Sequence, residues 1–128
     1  MAESELVGTA TQGIAEDEQT IVHLNPTQKY DIEIPGAPLA RYQTLDFARH
    51  IAASPDGKHY VVATFDDRHM GRGFVTAAYP QQNGYMTLVR LPAIELSSSN
   101  VETALQHHKD LVLAIQQGKL KDFIQENQ

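Results

Sequence analysis

The stretch from Ser99 to the C-terminus leaves the chain least freedom. Val101, Ala104, Leu105, His108, Leu111, Val112 and Ile115 recur at intervals of three and four, which lines them along one side of an α-helix. Ser99 and Glu102 have the spacing of a capping box, with the hydroxyl accepting from the Glu102 amide and the carboxylate reaching back. Gly118 suits the residue just past the helix end. Leu120, Phe123 and Ile124 predict a short second helix or a bent continuation. Burying five aliphatic side chains of the stripe contributes roughly 7–15 kcal/mol before conformational entropy is charged. A helix with one apolar side must find a matching surface, and the residues before it have to supply it.

Those residues read as strands. Tyr30, Ile32 and Ile34 alternate with Lys29, Asp31 and Glu33, the pattern of a strand with one wet face. Pro35 and Pro38 must end it, because proline removes ladder donors. Residues 41–53 fit two periods: Leu45, Ala48, Ile51 and Ala52 suit a helix, whereas Leu45, Phe47, Ile51 and Ala53 suit a strand. The hairpin loop that follows, Ser54-Pro55-Asp56-Gly57-Lys58, and the β-prone run His59–Phe65 decide for a strand. Phe74–Tyr79 is the next strand, Gln81-Gln82-Asn83-Gly84 a turn, and Tyr85–Leu96 another strand that Pro92 marks as an edge or a bulge. The expected fold is therefore α+β: an antiparallel β-meander of about four to six strands packed against, or plugged by, the C-terminal amphipathic helix.

A chain of 128 residues suits one domain. Charge divides it unevenly. Residues 1–19 carry Glu3, Glu5, Glu16, Asp17 and Glu18, five of the 16 acids, and none of the 10 Lys and Arg. We expect an acidic, mobile leader over 1–18, order beginning near the run Thr20–Leu24, and one α+β domain over 19–128. The nearly balanced remainder argues against nonspecific nucleic-acid binding, which wants a basic surface. With no cysteine there is neither a disulfide framework nor a thiolate zinc site. No run reaches the ~20 apolar residues of a membrane span. The acidic N-terminus lacks the features of a signal peptide, so a cytoplasmic location is expected.

Chemistry concentrates in one place, Asp66-Asp67-Arg68-His69-Met70-Gly71-Arg72-Gly73. Arg68 and Arg72 have the geometry to clamp a carboxylate or phosphate, while Gly71 and Gly73 would let backbone amides approach it. His69 could move a proton, with Asp66 or Asp67 orienting it. A loop whose opposite charges merely keep an edge soluble has the same composition. The histidines do not suggest a metal site: His107 and His108 are adjacent and diverge by about 100° on a helix, and His107 with Asp110 supplies only two ligands. His108, inside the apolar stripe, reads as a core-edge histidine bonded to a backbone carbonyl. No Gly-x-Ser-x-Gly or phosphate loop occurs, and no catalytic residue or cofactor is predicted. The expectation is a non-enzymatic binding or assembly protein that meets a protein partner, or a second copy of itself, through a sheet face, sheet edge or helix groove. A small anionic ligand or an enzymatic role at residues 66–73 is the alternative. Nucleic-acid contact through Arg41, Arg49, Arg68, Arg72 and Arg90 has least support.

Overall fold

The computed structural model describes residues 26–82, 85–86 and 91–127. Within them the order is β1 (Asp46–Ala53), β2 (His59–Asp66), β3 (Phe74–Gln82), β4 (Tyr85–Met86), β5 (Ile94–Ser98), α1 (Val101–Gln116) and α2 (Leu120–Glu126). All strand pairs are antiparallel; β1 pairs β2, β2 pairs β3, and β3 pairs both β4 and β5. The fold is α+β, an antiparallel sheet carrying a C-terminal helix.

The turn at 54–58 shows why the meander forms. Gly57 takes φ 91, Ser54 donates to the Lys58 carbonyl at 2.8 Å, and the Asp56 carboxylate accepts from the Lys58 amide at 3.0 Å. That closes β1 onto β2 with Ala53 opposite His59. Side chains of one register row share a face, so His50, Ala52, Val62, Thr64, Thr76, Ala78, Ile94 and Leu96 look toward α1. From the helix, Leu111, Val112 and Ile115, all fully buried, meet Ala52, Val62, Ala78, Ile94 and Leu96. A second cluster joins Phe47, Phe74 and Ala104, with the two phenylalanine rings edge-on at 5.4 Å. The sheet is buried on its other side as well: Val61, Ala63, Val75 and Ala77 are at most 4% exposed.

Four sequence expectations need correction. Residues 29–34 do not join the sheet as a strand. Tyr30 donates to the Phe47 carbonyl and Ile32 to that of Tyr30, and a tight turn then pairs Ile34 with Ala37. The alternation survives as half-buried Tyr30 and Ile32 and buried Ile34 against exposed Asp31 and Glu33; periodicity reports faces, and here an irregular strap has the same faces as a strand. The segment 41–53 is strand only from Asp46, and a bulge between Asp46 and Ala48 places Phe47 with the helix-side cluster. Its pattern was ambiguous because five consecutive residues, Asp46–His50, are buried. The strand expected over 85–96 is two, β4 and β5, with Leu91 and Pro92 outside either, and β5 runs on to Ser98. Finally, the α1 cap is Asn100, whose carboxamide accepts from the Thr103 amide at 2.7 Å, while the Ser98 hydroxyl donates to the Asn100 carbonyl. Asn and Ser are comparable caps, and Asn100 stands one residue nearer the helix. Gly118, at φ 72, closes the other end as expected: its amide reaches the Ile115 carbonyl and that of Lys119 reaches Ala114. The leader at 1–18, the run at 20–24, Asn83-Gly84 and Arg90 lie outside the described residues.

Candidate functional site

The 66–73 loop is built around its own charges. A 3₁₀ turn over Arg68–Met70 and left-handed Gly71 and Gly73 fold it back, so that Asp67 accepts at its carbonyl from the Met70 and Arg72 amides and donates its amide to the Gly73 carbonyl. Asp66 takes two hydrogen bonds from the Arg68 guanidinium, at 3.0 and 2.8 Å, and a third from the Arg68 amide. Those bonds, led by the guanidinium, hold the Asp66 carboxyl below its usual value. Arg68 also lies over the Phe74 ring, 4.9 Å from its centroid. Arg72 donates from Nε to Asp67 and from Nη1 to Glu95 of β5, the latter at 3.1 Å. Structure thus brings Asp66 to Arg68, and Asp67 and Glu95 to Arg72, while His69 sits exposed on the 3₁₀ turn. A small anion would enter in competition with three carboxylates already in place.

A second constellation lies under α1. His50 of β1, Thr64 of β2, Thr76 of β3 and His108 of α1 are each 0% exposed. His50 Nε2 lies 2.8 Å from the Ile32 carbonyl, and its Nδ1 2.8 Å from His108 Nε2. His108 Nδ1 lies 3.0 Å from the Thr64 hydroxyl, which is 2.7 Å from that of Thr76. Thr76 in turn donates to the Ala104 carbonyl of α1 at 3.0 Å. The two rings meet edge to face with centroids 4.9 Å apart. Burial lowers both imidazoles, His108 to about 3 with His50 adding to the effect, while the Ile32 carbonyl acts the other way on His50. At neutral pH the pair is uncharged.

Sequence reasoning saw His108 but assigned it the wrong partner: it bonds another imidazole and a hydroxyl, and it is wholly interior. His50, Thr64 and Thr76 were missed as a group. Their signal was present, since each stands at a core-facing position of an apolar strand, where an unpartnered polar group is costly.

An open cleft of about 960 Å³ adjoins this chain of groups, lined by residues 31–39 together with His50. Ile32, Ile34, Pro35, Ala37, Pro38 and Leu39 make it largely apolar, and Asp31 and Glu33 supply carboxylates. Leu39 is 52% exposed beside it. Ala40 donates to the Arg49 carbonyl and Ile51 to that of Pro38, so Leu39 is a non-hydrogen-bonded partner of His50 and its own N–H and C=O point away from β1. A smaller cleft of about 610 Å³ between α1 and α2 is bordered by His107, Asp110, Lys119, Asp122 and Glu126. Among the described residues no three His, Asp or Glu side chains are grouped to hold a metal ion, and no helix is long and apolar enough to cross a membrane. Comparison of the chain with family models, with curated proteins and with solved structures finds no match.

Proposed function

We propose that this is a non-enzymatic binding protein whose contact surface is the edge and cleft formed by residues 31–39, and that its partner is a protein segment combining apolar and basic side chains, from another chain or a second copy. Of the three surfaces such a protein could use, the sheet faces are buried at their centres and the α1–α2 groove is bordered largely by charge. The carrying observation is the cleft of about 960 Å³ beside an outward-facing backbone edge at Leu39. An extended segment laid along such an edge gains main-chain hydrogen bonds while its side chains enter the adjoining cleft. Asp31 and Glu33, both exposed, would favour a basic partner.

The chain has no cysteine, so single substitutions give clean attachment points. Leu39→Cys and Leu113→Cys replace exposed leucines, on the edge and on α1 respectively. Carrying a photo-crosslinker, the first is expected to form a discrete adduct, with another protein or as a covalent dimer, and the second none. Adding Asp31→Lys and Glu33→Lys should reduce the yield at position 39. Equal labelling from both positions, or labelling from 113 alone, would put the contact surface elsewhere.

A further inference from the structure

The groups beneath α1 form an unbroken chain from the Ile32 carbonyl through His50, His108, Thr64 and Thr76 to the Ala104 carbonyl, making five contacts. Both ends are acceptors. Every one of the five contacts therefore needs a proton from the four side chains between them. Neutral imidazole carries one N–H and threonine one O–H, so the uncharged chain owns four protons. Wherever they are placed, one contact is left with two lone pairs facing each other at hydrogen-bond distance.

One more proton completes the set. With both nitrogens of His50 protonated, His50 donates to Ile32 and to His108 Nε2, His108 donates from Nδ1 to Thr64, Thr64 to Thr76, and Thr76 to Ala104. No bond breaks elsewhere; a proton comes from solvent and the chain gains one positive charge. We infer that His50, His108, Thr64 and Thr76 together constitute a binding site for a single proton, shared by the two rings. Ile32, whose carbonyl is the acceptor at the outer end, lines the cleft, so the loaded state strengthens the tie between strap and sheet. The second ring cannot take a proton in turn, because two imidazolium groups would then meet N–H to N–H.

Among the described residues, the charged groups nearest this chain of contacts are exposed, paired with each other, or turned to the other face of the sheet. On the strap, Asp31 and Glu33 flank Ile32 but are exposed. On β1, Asp46 and Arg49 are bonded to each other and their register rows belong to the opposite face of the sheet. On β2 the rows that face α1 hold two titratable groups, the half-buried Tyr60 and, one row beyond Thr64, Asp66, which is bonded to Arg68; described positions 74–80 of β3 and 94–98 of β5 turn none that way. Around His108 on α1, Ala104, Leu105, Leu111 and Val112 are apolar, His107 projects about 100° away, and α2 brings Phe123 and Ile124 to the core. Burial pulls the uptake to low pH, and the empty contact pulls it back up. The step is expected below the ordinary imidazole value but above the value near 3 that burial, with His50 adding to it, gives His108.

Counting yields a test that ordinary burial does not. Thr76→Val leaves three contacts, from Ile32 to Thr64, and three protons to fill them, while the Ala104 carbonyl keeps its helical partner. The vacancy is gone. In the full-length chain labelled at histidine nitrogen, followed by long-range nitrogen–proton spectra on acidification, the wild type should show one step, with His50 and His108 sharing a single proton. Thr76→Val should move that step down by about one pH unit or more, a tenfold loss of proton affinity; Thr76→Ser, which restores the count, should return it. Should Thr76→Val fail to fold, Thr64→Val gives the same balance, with two ring contacts served by two ring protons. Uptake at the wild-type pH in the valine variant, uptake of two protons by the pair, or unfolding of the wild type before any uptake would each overturn the proposal.

Discussion

Gly73 stands where the chain leaves the charged loop and passes the end of β5. Its φ is +73, and a Cβ built on it would meet the Ser98 carbonyl oxygen at 2.6 Å. Two penalties coincide there, a left-handed backbone that L side chains rarely adopt and a clash with main chain that cannot swing aside. Gly57 differs: φ is +91, yet nothing lies within 4 Å of a Cβ. Gly73→Ala is therefore expected to lower stability by about 2 kcal/mol or more, and Gly57→Ala by about 1. Urea midpoints would show it, and equal losses at the two sites would refute the role given to Ser98. The sequence marked Gly57 as a hairpin-turn residue and Gly73 as a loop glycine that would let backbone amides approach an anion. Which one packs against a neighbouring strand depends on the pairing of Phe74 with Ser98 across β3 and β5, a relation that no local pattern encodes.

Elements differ in how far they can be read locally. Helix α1 was legible nearly to its ends because its hydrophobic period, its cap region and Gly118 lie within twenty residues of one another, all acting through backbone geometry. The starting residue was misplaced by one, since Ser99 and Asn100 are both good caps and only chain direction selects between them. The consequence is measurable: Asn100→Ala should cost about 1 kcal/mol in denaturant unfolding and Ser99→Ala much less. A reversal of that order would return the cap to Ser99. Strands were less legible. The strap at 29–34 carries perfect alternation without joining the sheet, while β1, buried along most of its length, shows almost none. Alternation measures exposure to water, and a covered strand loses it. The charged loop was legible as a cluster, but not the pairing of Arg72 with Glu95, 23 residues away.

For the molecule as a whole, two buried neutral histidines set the response to acid. Their folded-state values lie below the ordinary 6.5, His108 at about 3. The unfolded chain therefore binds protons that the native state refuses. Above pH 6.5 their lowered values carry no protonation penalty, and stability is lost as pH falls through that value toward the folded ones. Each histidine contributes a slope of about 1.4 kcal/mol per pH unit in that window, and the total should halve once the shared proton is taken up. Asp66, held low mainly by Arg68, acts only in more acid solution, its contribution disappearing below the usual 3.8. Denaturant unfolding at a series of pH values should show a decline beginning near pH 6.5; a flat profile down to the carboxylate range would contradict the neutral, buried state of the pair.

By itself the sequence determined the class of fold, the helix that closes it, the hairpin turn at 54–58 and the absence of any cysteine chemistry. These follow from side-chain direction and backbone torsion within a few residues, which act before the chain is compact. Tertiary structure alone decided that His50 and His108, 58 positions apart, share one interior with Thr64 and Thr76. Strand register and the docking angle of α1 bring those groups together, and both are properties of the assembled core. A polar residue on an apolar face announces that it needs a partner; only the closed fold says which one it has.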